Sequence, residues 1–208
     1  GGAGDDSLYA SSAAAGSVLD GGADDDDLQV YGTFADGTLS GGTGDDTLEA
    51  YSADLRGTVI SGIETTRFYN DLTVDAGQLP SLGAIGLNAD YGYYYGYLYL
   101  HAADGDTADL SGVTLGADQT LSVYSQAASG DAVTVDFSGA SLAETARIVF
   151  SGSAADETVT GSAFNDNLLG GSGADSLAGG DGDDALQGSS GQVTLLGGAG
   201  DDSLYADS

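Results

Sequence analysis

A nine-residue unit recurs along this chain, and a recurring unit of fixed register limits the fold more than any single motif. GGAGDDSLY occupies residues 1–9, GGADDDDLQ 21–29 and GGTGDDTLE 41–49, so the starts fall twenty residues apart. Eleven residues follow each unit and end on another apolar position, expected at Leu19, Leu39 and Val59. Later the spacing tightens to nine: GSAADETVT (152–160), GSAFNDNLL (161–169), GGSGADSLA (170–178), GGDGDDALQ (179–187), GSSGQVTLL (188–196) and GGAGDDSLY (197–205) run without interruption. Glycines at the first, second and fourth places allow the positive φ and close approach of a tight turn. The eighth place is apolar and belongs to a short strand whose side chain enters a core. Those residues are Leu8, Leu28, Leu48, Val159, Leu168, Leu177, Leu186, Leu195 and Leu204. Turn plus strand, repeated, predicts an all-β solenoid.

The units resemble the RTX family, whose repeat reads G-G-x-G-x-D-x-U-x with U a large apolar residue. The units at Gly1, Gly41, Gly170, Gly179 and Gly197 fit every fixed position. The resemblance implies a right-handed parallel β-helix or β-roll with calcium between successive turns. It also implies the ligands. Sixth-place carboxylates are Asp6, Asp26, Asp46, Asp166, Asp175, Asp184 and Asp202. Turn backbone comes from Gly1, Gly2, Ala3 and Gly4, from Gly21 and Gly22, and from Gly41, Gly42 and Gly44. In the later run it comes from Gly170, Gly171 and Gly173, from Gly179, Gly180 and Gly182, and from Gly197, Gly198 and Gly200. Hard oxygen donors of this kind are what Ca²⁺ prefers. Glu157 and Val193 take the Asp place of their units, so those two turns read as weak or dead sites. Asp24 replaces a turn glycine, which Asp tolerates in a left-handed conformation. Calcium is expected along one edge of 1–60 and along both edges only within 152–187. The fifth-place residues Asp5, Asp25, Asp45, Asp183 and Asp201 read as a solvated face.

Charge supports a cation partner. Asp and Glu number 33 against 3 Lys and Arg, a formal charge of −30 in 208 residues. Self-repulsion on that scale opposes compaction unless cations neutralise part of it. Nucleic acid is excluded as a partner, because binding it needs basic residues. No apolar stretch is long enough to span a bilayer, so membrane insertion is not expected. There is no cysteine, and a metal is the usual substitute for a disulfide staple in a secreted chain. Lacking an initiator Met or leader, the sequence is expected to be a piece of a longer protein.

Three regions follow: calcium-binding coils over 1–60, calcium-poor coils over 61–151, and a contiguous β-roll over 152–208, together one continuous rod. The middle reads as short alternating strands (LTVDA, AIGLNAD, YLYLHA, ADLSGV, TLSVYS, AVTVDFSG, RIVFSGS) on coils of about twenty residues. ISGIETTRF reads as connecting coil, and Ser141 with Glu144 has the spacing of a one-turn helix cap. In YGYYYGYLYL, strand alternation puts Tyr91, Tyr93, Tyr95, Tyr97 and Tyr99 on one face. They form a contact stripe for another copy or for sugars, or a ladder covering the wall.

Catalytic patterns are absent. His101 is the one histidine, with no cysteine or second histidine for zinc. No G-x-S-x-G elbow and no phosphate loop ending in GK[ST] occurs. The expected role is structural: a calcium-dependent repeat module of a large secreted bacterial surface protein, at the cell surface or beyond it. An S-layer, an adhesin stalk and a matrix fibre all fit. The alternatives are the accessory calcium domain of a type I-secreted lipase, protease or alginate epimerase, and a carbohydrate-binding module. GGAGDDSLYA stands at 1–10 and again at 197–206, which suggests duplication of the whole block. Expected partners are copies of the chain, end to end and laterally, and cell-surface polysaccharide.

Overall fold

The apolar eighth-place residues stack in file, and that stacking fixes the architecture. The structure, a computed structural model, describes residues 1–87 and 95–207. Its strands form three sheets of 4, 13 and 5 strands, with parallel pairing in every ladder. The chain is a parallel β-solenoid. In-register parallel pairing places like residues above one another. Leu8, Leu28 and Leu48 form one such file. Leu72, Leu98, Val123, Phe150, Leu168, Leu186 and Leu204 form another, through the 13-stranded sheet. Leu28, Leu48, Leu98, Leu168, Leu177 and Leu186 are buried, each contributing about 1.5–3 kcal/mol by leaving water.

Coil length changes twice. Equivalent residues are 20 apart in the first coils, as Asp6 and Asp26 show, and 18 apart in the last, as Asp166 and Asp184 show. Between these regions the twenty-residue expectation is corrected: coils lengthen until paired residues stand as far apart as Ile85 and Val113, or Leu98 and Val123. The extra length carries a third strand per coil. Strand Thr65–Asp75 is the branch point. Its first half pairs with Ala84–Leu87, and its second half with Tyr95–His101. Asn70, with φ of 63°, marks the division. Val113–Leu115 and Ser141–Leu142 continue the branch.

Two local expectations change. Ser141 and Glu144 do not cap a helix, since Ser141–Leu142 is a strand. The helical turn is instead 3₁₀, Ala76–Ser81. There the Asp75 N–H donates to Gln78 Oε1 at 2.7 Å, and the buried Gln78 amide bonds the Leu55 and Thr58 carbonyls. Val59 faces solvent, and Ile60 takes the inward position opposite Leu39 because that coil is one residue longer.

Candidate metal centres

Each repeat turn is followed directly by a strand, of the 13-stranded sheet on one edge and of the 5-stranded sheet on the other, so the turns also stack in register. Sixth-place carboxylates therefore lie one coil apart along an edge, and they reach backwards. Asp26 Oδ1 accepts the Asp6 N–H at 2.8 Å, and Asp46 Oδ1 accepts the Asp26 N–H at 2.8 Å. In the later run Asp184 Oδ1 takes the Asp166 N–H at 2.8 Å, and Asp202 Oδ1 takes the Asp184 N–H at 3.0 Å. On the opposite edge Asp175 Oδ1 accepts the Glu157 N–H at 3.1 Å. One oxygen of each carboxylate is thus committed to the backbone. The second oxygens of Asp26, Asp46 and Asp184 are buried with no hydrogen-bond partner.

That orphaned oxygen has a defined neighbour. A Cβ added to Gly1 would collide with Asp6 Oδ2 and the Gly21 carbonyl oxygen. The same pairing recurs at Gly21 with Asp26 Oδ2 and the Gly41 carbonyl, and at Gly179 with Asp184 Oδ2 and the Gly197 carbonyl. A carboxylate oxygen of one turn and a carbonyl of the next therefore converge on one point, and only glycine leaves it free. Leaving an ionised oxygen buried and unpaired costs several kcal/mol unless a cation or proton meets it. Burial accordingly raises the Asp46 and Asp184 carboxyls above their usual range. Burial, with Glu157 close by, pushes Asp175 up to about 6. Among the described residues no three His, Cys, Asp or Glu side chains converge, so a cation here draws on main-chain carbonyls as well. Buried carboxylate, adjacent carbonyl and glycine turn suit the oxygen shell of Ca²⁺.

Asp166 is placed differently from the other six. Ser162 holds the second place of its unit, where other turns have glycine at positive φ, such as Gly22 at 120° and Gly180 at 116°. Ser162 does not adopt positive φ. Its N–H donates to Asp166 Oδ2 at 2.6 Å, and its hydroxyl lies 3.0 and 3.1 Å from the two carboxylate oxygens. Glu157 is half closed: Oε1 accepts from the Ser153 N–H at 2.8 Å and hydroxyl at 2.6 Å, while Oε2 is buried with no hydrogen-bond partner. Even so, burial pushes Asp166 up to about 6.

Other features escaped the sequence reading. The fifth-place residues are exposed, as a solvated face should be, and Asp5, Asp25 and Asp183 also reach forwards. Asp25 Oδ1 accepts the Asp45 N–H at 2.9 Å and Asp183 Oδ1 the Asp201 N–H at 2.8 Å. Asp24 adopts φ of 77° as expected, and its Oδ2 accepts the Gly4 N–H. Tyr9, Tyr31, Tyr51 and Tyr69 stack along the long sheet with centroids 5.0, 4.2 and 4.0 Å apart. Spacing near one coil length could have revealed that ladder. Of the tyrosine stripe, Tyr91 and Tyr93 lie outside the described residues. Tyr95 and Tyr97 are exposed at 63% and 38%, while Tyr99 stacks on Tyr124 at 5.4 Å. His101 Nε2 lies 3.1 Å from Arg56 Nη1.

Four stretches match the RTX calcium-binding nonapeptide repeat: residues 1–14, 31–54, 151–186 and 178–208. No curated protein and no solved structure matches the chain. No helix among the described residues is long and apolar enough to cross a membrane. With calcium-suited turns stacked along a parallel solenoid and these four matches on them, the chain is a calcium-binding β-solenoid module of the RTX repeat family.

Proposed function

We propose that the module is structural: one block of a large secreted bacterial surface protein that folds and stacks on binding calcium. Asp6, Asp26, Asp46, Asp175, Asp184 and Asp202 supply the carboxylates. Bound there, calcium bridges neighbouring turns and neutralises part of the charge. The residues' own part is to hold the turns in register: one carboxylate oxygen fixes the adjacent coil's N–H and leaves the other free.

The observation that carries this reading is the repeated decapeptide. GGAGDDSLYA at 1–10 and at 197–206 adopts the same turn-and-strand path. At 203–206 it pairs with the coil before, and at 7–11 with the coil after. A second copy continuing from 197–206 would meet the partners that 1–10 already has. Asp201 and Asp202 would then sit between coils on both sides, as Asp25 and Asp26 do. Tyr95 and Tyr97 offer an exposed aromatic edge for lateral contact.

The test is to join one, two and three blocks and measure denaturation midpoints in saturating calcium. Stacked blocks gain stability with number, since each join adds an interface. Equal midpoints would mean beads on a string and would sink the stacking model. Electron microscopy should show assemblies that dissolve on chelation.

A further inference from the structure

The N-terminal acidic ladder does not stop where the repeats stop. After Thr47 and Leu48 the next coil brings Thr65 and Thr66 alongside, which places Glu64 one coil beyond Asp46. Glu64 Oε2 accepts the Asp46 N–H at 2.8 Å, the bond that Asp46 Oδ1 makes to Asp26 and Asp26 Oδ1 makes to Asp6. The repeat match ends at residue 54, and SGIETTRF has no repeat consensus.

The space below Glu64 is built like the spaces between full repeat turns. A Cβ on Gly41 would collide with Asp46 Oδ2 and with the Gly62 carbonyl oxygen. Asp46 is fully buried at 0% exposure, and that Oδ2 has no hydrogen-bond partner. Gly62, with φ of 59°, turns the chain so that its carbonyl occupies the place held by Gly21 and Gly41 in the coils before. A buried unpaired carboxylate, an aimed carbonyl and a second carboxylate one coil on meet in one place.

We propose that this place is a calcium site outside the repeats, held by Asp46, the Gly62 carbonyl and Glu64. Its upper turn is short: Gly62 and Glu64 are separated only by Ile63, whereas Gly41 and Asp46 are separated by four residues. The longer glutamate side chain spans the missing turn, but the third- and fourth-place carbonyls are lost. Water completes a shell of 6–8 oxygens there, so this site is weaker than those between full turns and fills last. It fastens the calcium-dependent coils to the middle of the rod.

The inference rests on the calcium reading of the repeat turns, and its test separates the two. The full chain, stripped of metal, is titrated with calcium chloride by calorimetry beside Glu64→Gln. The amide keeps an oxygen for the Asp46 N–H and loses the charge. We expect one ion fewer in the variant, missing from the weakest class, with the tighter classes unchanged. Identical titrations would overturn the Glu64 site alone; no binding by the unaltered chain would overturn the repeat reading itself. Should Glu64→Gln fail to fold, crystals of the unaltered chain soaked in terbium chloride decide. An anomalous peak between Asp46 and Glu64 supports the site, and peaks between the repeat turns with none here refute it.

Discussion

The two repeat arms meet the middle of the rod in opposite ways. At the N-terminal junction the acidic ladder runs Asp6, Asp26, Asp46, Glu64, with Asp26 and Asp46 each keeping a buried oxygen unpaired. At the C-terminal junction Ser153 closes on Glu157 and Ser162 closes on Asp166. Acid occupies the sixth place at both ends, so acid does not decide which turns need metal. The two junctions differ at the second place. First-place glycines such as Gly21, Gly161 and Gly179 all face both a carboxylate oxygen and a carbonyl of the next coil, and a second-place glycine adds no side-chain donor to that repulsive pair, which then asks for a cation. Serine offers an N–H and an O–H to the same carboxylate and supplies internally what calcium supplies elsewhere. Arms expected to depend on calcium thus flank a middle in which, among the described residues, only Ser125 Oγ and Glu157 Oε2 are buried side-chain atoms without a hydrogen-bond partner.

Metal removal is the strongest way to break that comparison. In chelator, hydrogen exchange should lose protection over 1–64 and 167–206 and keep it in strands of 65–166. Arms that need calcium bind it only when folded, and at a hundredfold excess over its dissociation constant each site contributes about 2.7 kcal/mol. Several such sites exceed the few kcal/mol by which small units are stable. Uniform loss of protection along the whole chain, or none anywhere, would erase the distinction between arms and middle.

Much of this was legible in the residues, and the reasons it stopped are physical. The solenoid and its core files follow from a fixed register, because parallel pairing turns sequence period directly into stacking. Leu28, Leu48, Val159, Leu168, Leu177 and Leu186 are buried as their place predicts, whereas Leu8 and Leu195 are only partly covered and Leu204 is exposed. Val59 failed because one inserted residue reverses which neighbour points inward. The middle was read with coils too short, because a third strand such as Val113–Leu115 adds length without a motif. Glu64 was invisible, since its role comes from lying beside Asp46 and not from the residues around it. The serine plugs were missed for a related reason. Ser162 stands where the consensus has glycine, and its bond to Asp166 spans four residues within one turn.

A second, smaller effect should reverse with calcium. Without metal, Asp175 is pushed from 3.8 to about 6 by burial with Glu157 nearby. A folded-state pKa above the unfolded value means the folded arm binds the proton more tightly. Metal-free stability is then full below about 4, and is lost as pH rises through about 6. In chelator, therefore, lowering pH from 7 to 5 should raise the folded fraction of the C-terminal arm. In saturating calcium the ion holds the carboxylate ionised, and the same acidification should lower the midpoint by releasing it. Thermal unfolding followed by circular dichroism at both pH values checks the crossing. The same sign of slope with and without calcium would show that these carboxylates do not face the ion.

The finest test exchanges one junction for the other at a single residue. Ser162→Ala removes the hydroxyl that lies against both Asp166 oxygens and keeps the backbone in its present shape, leaving the N–H groups of residues 162 and 148. A buried carboxylate losing such a bond costs about 1–3 kcal/mol, and calcium cannot repay it, because the turn still directs an N–H at the carboxylate. Ser162→Gly removes the same hydroxyl but frees the backbone to take the positive φ of Gly180, at 116°. That turn would resemble its calcium-dependent neighbour at 179–184, and Gly161 already lies beside Asp166 Oδ2 and the Gly179 carbonyl. In chelator both variants should therefore unfold earlier than the unaltered chain by a similar amount. In saturating calcium Ser162→Gly should recover most of its loss, while Ser162→Ala should not. Denaturant titrations in the two conditions read the difference directly. Equal responses of the two variants to calcium would mean that the second place does not govern metal dependence, and the contrast between the junctions would need another cause.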